Sequence, residues 1–155
     1  MTGSEGTLGV ISKIVLKLLP KPEFSLSTIL AFNSLSDGIR TVNQIFSQNL
    51  DPTAIEFVEK KVIALGEKFL NQEFPLPSAK AYLIVTLDGD KKGVYERLDK
   101  LKDVTVAHGL AFDSLDLDDE AVAEHVWAIR GALARAVKAS GVWEPVDTVV
   151  PLNQI

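Results

Sequence analysis

A strongly apolar run at residues 79–87 (AKAYLIVTL) constrains the fold more than any other stretch of this chain. The run is rich in branched and aromatic side chains, and the turn residues 88–90 (DGD) end it. A short apolar run that turn residues bound is typical of a buried strand. A helical pattern follows over residues 91–101, and residues 104–110 return to a strand pattern. The second half of the chain therefore predicts a strand–helix–strand unit.

The first half of the chain repeats this pattern. Residues 26–32 (LSTILAF) form another short apolar run, and residues 53–58 (TAIEFV) alternate as a second strand would. Between them, Ser36 or Asp37 can cap a helix whose apolar residues recur at helical spacing. A second strand–helix–strand unit is therefore predicted.

Two such units in series predict an α+β fold of the ferredoxin-like type. A further helix at residues 60–70 and the proline-containing loop 74–77 connect the two units. In this split βαβ arrangement we expect a mainly antiparallel sheet with helices on one face. A chain of 155 residues can bury roughly 68–70% of its unfolded surface, which is enough for one core. The same fold carries many activities, so it does not predict a function.

A glycine-rich string opens the chain. Gly3, Gly6 and Gly9 recur at every third position, with hydroxyl side chains between them. Glycine permits positive φ and a close approach of the backbone to a ligand. Residues 14–18 then alternate in polarity, which predicts a half-buried strand that ends at Pro20. The spacing matches neither a dinucleotide-binding GxGxxG nor a phosphate-binding loop, so its chemistry alone favours a plain turn over a ligand-binding loop.

Composition excludes several classes of function. The net charge of -5 argues against nucleic-acid binding, which needs a concentrated basic surface. The chain has no cysteine, which excludes disulfides, thiolate catalysis and cysteine-ligated zinc. No apolar run approaches the roughly 18 residues of a membrane span. His108 and His125 lack a metal-binding spacing, so we expect no metal site. From the charge and the apolar runs we expect no nucleic-acid partner and no membrane span.

The last predicted helix carries the strongest candidate for ligand binding. Acidic residues 118–120 precede this helix, which runs to about residue 139, and they favour a complement to its dipole over a metal site. Its apolar residues form a core-facing stripe, and Arg130 lies at the edge of that stripe. A guanidinium at the margin of a core needs a carboxylate partner. The partner is either a side chain of the chain itself or a bound substrate, and the pattern leaves both open.

Three short motifs resemble one enzyme family. The string TGSEGTLG with its LLPKP exit, the helix motif WAIR at residues 127–130 and the tail segment DTVVPL occur here in that order. Together they resemble the FAD-linked 2-hydroxyacid oxidases and dehydrogenases, which include glycolate oxidase flavoprotein subunits, D-lactate dehydrogenases and D-2-hydroxyglutarate dehydrogenases. The resemblance implies a fragment, in which residues 1–22 end an FAD-binding domain and residues 23–155 form part of the C-terminal substrate or cap domain.

The resemblance assigns roles to particular residues. In the family, the arginine of the W-x-[IL]-R helix binds the carboxylate of the substrate, which implies that role for Arg130. The residues implied to contact FAD are Gly3, Ser4, Glu5, Gly6 and Thr7. The family's proton- and metal-handling residues would lie beyond Ile155, so no catalytic and no metal-binding residue is expected in this fragment. Alone, the fragment is expected to be inactive and to carry no bound FAD.

Two departures from the family pattern bear on the substrate. Many members have a lysine just before the aspartate that corresponds to Asp147 and a threonine one turn after the arginine, and both help to hold substrate. This chain has residues 144–146 (EPV) and Ala134 at those places. The departures weaken the case for a second cationic contact, and for D-2-hydroxyglutarate in particular.

The resemblance also implies an activity for the full-length parent. It would oxidise a small 2-hydroxy acid, of the glycolate, D-lactate or D-2-hydroxyglutarate class, by hydride transfer to FAD. We expect a cytoplasmic protein that forms a homo-oligomer or binds an electron-acceptor protein. Any targeting segment would lie outside the fragment. The alternative function is a non-catalytic ferredoxin-like module that binds a small acidic effector or another subunit.

Overall fold

The computed structural model describes residues 1 and 3–151 of the chain. In chain order its elements are β1 (Phe24–Phe32), α1 (Leu35–Ser47), β2 (Ala54–Glu59), α2 (Lys60–Leu70), β3 (Ala81–Gly89), α3 (Lys91–Lys102), a π-helical turn (Asp103–Ala107), β4 (Asp113–Asp116) and α4 (Glu120–Ser140). Thr2 of the glycine string and Leu152 of the tail motif lie outside the described residues. None of the described helices has the length and apolar character needed to cross a membrane.

The four strands form one antiparallel sheet in the order β2-β3-β1-β4. β1 and β3 occupy the centre, where Ile29 lies opposite Ile84. At the two edges, Glu56 of β2 pairs with Ile84, and Leu115 of β4 pairs with Ile29. Two strand–helix–strand units whose strands interleave in this way form the split βαβ fold. The prediction of an α+β, ferredoxin-like fold with a mainly antiparallel sheet is confirmed.

Helices cover both faces of the sheet. On one face, α1 and α3 contribute the buried residues Val42, Ile45, Val94, Leu98 and Leu101. On the other face, α2 and α4 contribute Ile63, Val126 and Ile129. The expectation that helices lie on one face is therefore wrong. Residues 29–32 of β1 are all fully buried, because a strand that is covered on both sides has no solvent-facing positions.

The strand predicted at residues 104–110 is also wrong. Helix α3 continues instead into the π-helical turn, in which Val104 and Thr105 are buried. The Thr105 hydroxyl donates to the carbonyl oxygen of Leu101 (2.7 Å), and the last strand forms only at Asp113–Asp116. Valines at alternate positions fit a short helical face as well as a strand, whereas the polar sequence of β4 has no apolar alternation to detect.

The segment between the glycine string and β1 forms no strand in the described part of the chain. The strand predicted at residues 14–18 is therefore wrong. The large apolar side chains of this segment are exposed, namely Val10, Ile11, Ile14, Val15, Leu16, Leu18 and Leu19. A strand is stabilised by cross-strand neighbours and by a core on its apolar side. The described residues provide neither to this segment.

Candidate functional site

Arg130 lies on α4, and a cap and a packed face hold that helix in place. At its start, the Asp119 carboxylate accepts hydrogen bonds from the backbone N–H groups of Ala121 (2.9 Å) and Val122 (3.1 Å), which satisfies donors that the helix itself leaves unpaired. The buried face of α4 consists of Val126, Ile129, Ala132 and Ala136. Arg130 follows Ile129 directly, so its side chain leaves the helix at the margin of that face and is 46% exposed.

Gly66 allows α2 to approach α4 closely. A Cβ atom added to Gly66 would lie 2.7 Å from Cδ2 of Leu133 and 3.1 Å from Cγ2 of Ile129, both inside the separation at which carbon atoms attract. It would also lie 3.3 Å from the backbone carbonyl oxygen of Ile129, which cannot rotate away. A glycine at this position therefore sets the distance between the two helices, and with it the position of Arg130 beside β2.

The guanidinium of Arg130 forms an ion pair with Glu56 of β2. Nε of Arg130 donates to Oε2 of Glu56, whose side chain is 27% exposed. Glu56 lies on the same face of the sheet as Val58, which packs against the core beneath α2 and α4. In the described residues, the two terminal nitrogens of Arg130 form no hydrogen bond. The chain thus supplies an internal partner for one nitrogen and leaves two for a ligand.

Glu56 is the site residue that sequence reasoning missed. The alternation of residues 53–58 assigns its face of the strand but not its partner, which lies 74 positions further along the chain. A carboxylate between Ala54 and Val58 on one face of the strand is the signal that could have found it, because a charge among apolar side chains needs a partner.

Arg130 and Glu56 line an open cavity of about 570 Å³ that β2, α2 and α4 bound. Glu59 also lines it, and the carboxylate of Glu59 pairs with Nζ of Lys61 (2.6 Å). Its apolar lining residues are Phe57, Val58, Val62, Leu133 and Ala134. A guanidinium beside apolar walls suits a small organic acid, whose carboxylate it binds while the walls contact the carbon chain.

The glycine string forms tight turns at the start of the chain. The backbone N–H (2.9 Å) and the hydroxyl (2.6 Å) of Thr7 both donate to the carbonyl oxygen of Ser4. Gly3 and Gly6 have φ values of +74° and +81°, and Glu5 has φ +48°, all in the left-handed region. A Cβ atom at either glycine would meet no atom within 4 Å. The turn conformation explains both glycines, and their open side leaves the backbone accessible to a ligand.

The two histidines make local contacts to backbone. Nε2 of His125 donates to the carbonyl oxygen of Glu73 (2.6 Å), and Nδ1 of His108 donates to that of Asp103 (2.7 Å). His108 directly follows the π-helical turn. The sequence pattern had placed it in a strand, which is wrong. Across residues 1 and 3–151, no group of three His, Asp or Glu side chains is arranged to hold a metal ion. Neither histidine lines the cavity beside Arg130.

Tyr82 is a buried phenol that lies outside this cavity. Its hydroxyl donates to the carbonyl oxygen of Leu76 (3.0 Å). Burial, and next the charge of Glu67, raises the pKa of Tyr82 from 10.0 to about 12. A phenol with this pKa stays protonated at neutral pH, so Tyr82 fastens the loop that contains Leu76 and does not act as a general base.

Comparison with known proteins gives a family match and relatives. Residues 21–155 match the family described as FAD linked oxidases, C-terminal domain. The chain is 39% identical to a D-lactate dehydrogenase of Anaerostipes hadrus, over 100% of this chain and 34% of that protein. It is 33% identical to glycolate oxidase subunit GlcD of Escherichia coli (strain K12), over 83% of this chain and 26% of that protein. The chain therefore spans about a third or less of these relatives.

Solved structures share the fold. A structure of alkyldihydroxyacetonephosphate synthase superposes with a TM-score of 0.60 at 19% identity, covering 89% of this chain and 29% of that chain. A second structure of an alkyldihydroxyacetonephosphate synthase gives a TM-score of 0.54 at 21% identity, covering 83% of this chain and 27% of that chain. At this level of identity the likeness concerns the fold alone.

Proposed function

The chain belongs to the FAD-linked oxidases, whose C-terminal domain it matches, and from this premise we propose that it is part of an enzyme that oxidises a small 2-hydroxy acid to the 2-oxo acid. The substrate class is that of glycolate, D-lactate and D-2-hydroxyglutarate. The observation that carries the proposal is Arg130, which lines an open cavity and whose terminal nitrogens form no hydrogen bond in the described residues. Relatives named D-lactate dehydrogenase and glycolate oxidase support it, and the family resemblance of the motifs is confirmed.

The proposal includes a domain boundary near the start of β1. Residues 1–22 would close the FAD-binding domain, and residues 23–155 would form part of the substrate domain. The family match starts at residue 21 and the first strand at Phe24, which supports a boundary at this point. The exposed apolar side chains of residues 8–19 support it too, because an apolar surface of this extent calls for a covering partner.

Arg130 would anchor the acid by its carboxylate. A guanidinium is planar and permanently charged, and it matches a carboxylate with two parallel hydrogen bonds. A hydrogen bond of this charge-assisted kind contributes about 1.5–3 kcal/mol. With the carboxylate held on α4, the rest of a short acid is confined to the cavity, which is the positioning that a redox reaction needs.

The glycine string fits a role in binding FAD. The residues that would hold the cofactor are Gly3, Ser4, Glu5, Gly6 and Thr7. The positive φ values and the open space beside both glycines suit a flat ring or a phosphate in contact with the backbone. The chemistry that a bound flavin supplies is acceptance of the electron pair of the α-carbon–hydrogen bond. The described residues contribute the grip on the carboxylate and the apolar walls.

The two departures from the family motif favour a short acid with one carboxylate. Ala134 lines the cavity and offers no hydroxyl to a ligand, and residues 144–146 (EPV) provide no cation. Arg130 is the one cationic residue that lines the cavity in the described part of the chain. A second carboxylate on the substrate would therefore need a partner from outside these residues.

The proposal extends to the surroundings of the parent enzyme. The relative from E. coli is named a subunit of glycolate oxidase, which supports an electron-acceptor protein or a further copy as partner. We also propose a cytoplasmic location. Co-purification of the full-length protein from its native source, followed by mass determination of the assembly, tests the partner.

The function is tested on the full-length flavoprotein, by following the flavin absorbance after addition of D-lactate, glycolate or D-2-hydroxyglutarate. We expect one of these acids to bleach the flavin, and Arg130→Ala to raise its KM by about ten-fold or more through loss of a charge-assisted bond. Arg135→Ala is the matched control, because Arg135 lies on the same helix and packs over the ring of Phe69. Bleaching by none of the acids would favour a non-catalytic binding module, and an unchanged KM in Arg130→Ala would remove the anchor.

A further inference from the structure

We propose that Glu56 is a positioning residue for Arg130, whose guanidinium it holds so that the two terminal nitrogens bind the carboxylate of the substrate end-on. The inference rests on the proposed function, in which Arg130 is the carboxylate anchor. Glu56 does not touch the substrate in this account and acts through Arg130 alone.

The ion pair engages only one nitrogen of the guanidinium. Arg130 donates to Oε2 of Glu56 through Nε. A carboxylate can bind a guanidinium side-on, across Nε and one terminal nitrogen, or end-on, across both terminal nitrogens. Because Glu56 occupies Nε, the end-on geometry is the one that remains for a ligand in the cavity. A pair that served stability alone would gain from two parallel bonds, which Glu56 does not make.

Glu56 is well placed to restrain a long side chain. Its backbone lies in β2, in register with Ile84 of the central strand β3. Two positions further along, Val58 packs into the core on the same face of the sheet. Arginine loses rotamer freedom when it binds a ligand, and a partner that restrains it beforehand lowers that cost. The half-exposed side chain of Arg130 is thus held in place before the substrate arrives.

The charges around the cavity fit a restraint that still admits an anion. Glu59 lines the cavity, but its carboxylate is paired with Lys61 (2.6 Å). Glu56 and Arg130 balance each other, so the walls carry no unpaired negative charge in the described residues. An incoming carboxylate shares Arg130 with Glu56 and binds the two terminal nitrogens, which form no hydrogen bond within residues 1 and 3–151.

The test measures KM and kcat of the full-length enzyme with its best 2-hydroxy acid, for Glu56→Ala and Glu56→Gln. Glu56→Ala removes the acceptor of Nε, and we expect KM to rise about ten-fold while kcat changes much less. Glu56→Gln keeps an acceptor oxygen on a side chain of the same length, and we expect KM within about three-fold of wild type. A purely structural ion pair would alter the folded fraction and leave the KM of the folded enzyme unchanged.

Asp116→Ala is the matched control for the loss of a carboxylate. Asp116 lies on the opposite edge strand and pairs with Lys102 of α3, with side-chain exposures of 24% and 34%. We expect this variant to lower the melting temperature and to keep the wild-type KM. Should Glu56→Ala not yield folded enzyme, Glu56→Leu replaces it, since leucine fills similar space and offers no acceptor.

The possible results separate this inference from the proposed function. A KM for Glu56→Ala that equals the wild-type value overturns the positioning role, and a lower KM does so as well, because Glu56 would then compete with the substrate. A KM for Glu56→Gln that rises as much as that of Glu56→Ala also overturns the positioning role. If Arg130→Ala raises KM while Glu56→Ala does not, only the positioning role fails. An unchanged KM in Arg130→Ala contradicts the anchor itself.

Discussion

Replacing Gly66 by alanine tests whether the close packing of α2 on α4 shapes this domain. The new methyl carbon would lie 2.7 Å from Cδ2 of Leu133, 3.1 Å from Cγ2 of Ile129 and 3.3 Å from the carbonyl oxygen of Ile129. Leu133 is partly exposed, so the end of its side chain can rotate away. Ile129 is fully buried and its carbonyl belongs to the helix backbone, so the two helices themselves must move apart.

Two effects of opposite sign decide the size of the change. Overpacking of a well-filled core costs about 1–3 kcal/mol. Alanine is favoured over glycine inside a helix by about 1 kcal/mol. The net expectation is a loss of roughly 1 kcal/mol, which lowers the Tm of a chain of this size by about 2–4 °C.

The assay is thermal unfolding of this chain followed by circular dichroism, with Gly131→Ala as the matched control. Gly131 lies on α4, where an added Cβ atom meets nothing within 4 Å. We therefore expect the control to gain up to about 1 kcal/mol from helix propensity alone. A Gly66→Ala protein that is stabilised as much as Gly131→Ala would refute the reasoning from close packing.

Two further changes test the cap of α4 and the buried phenol. Asp119→Ala removes the acceptor of two N–H groups at the start of α4. It should lower the free energy of unfolding, measured in urea, by about 0.5–2 kcal/mol. Asp118→Ala is the control, and equal unfolding midpoints for the two variants would contradict the cap. Because the pKa of Tyr82 rises from 10.0 to about 12 on folding, its contribution to stability is complete below pH 10.0 and is lost as the pH climbs toward about 12. Tyr82→Phe should remove this part of the loss of stability at alkaline pH. If the free energy of unfolding falls with pH equally in wild type and variant, Tyr82 does not cause the loss.

The strands and helices were largely predictable because their patterns are local. Helix α2 occupies Lys60–Leu70, as the apolar spacing indicates. The apolar runs at residues 26–32 and 79–87 correspond to the central strands β1 and β3. The same unbroken runs also indicate coverage on both faces, since a strand with one face in solvent alternates. Residues 104–110 were wrongly predicted as a strand, because a turn of helix can also bury valines two positions apart.

Of the ion pair at the site, only the position of Arg130 was predictable from the sequence. The stripe of apolar residues on α4 places Arg130 at the margin of the core, where the structure has it. Its partner Glu56 lies 74 positions earlier, and their contact depends on how α4 lies against β2. The residue that sets this distance, Gly66, is an unremarkable helix glycine in the sequence. Contacts between distant elements follow from packing, which no local pattern encodes.

The most direct test of the central claim is stopped-flow reduction of the flavin in the full-length enzyme. Wild type and Arg130→Ala are compared over a range of concentrations of the acid that bleaches the flavin best. We predict saturable reduction in the wild type and, in the variant, half-saturation at a concentration about ten-fold or more higher. Half-saturation at the same concentration in both proteins would contradict the claim that Arg130 binds the carboxylate of the substrate.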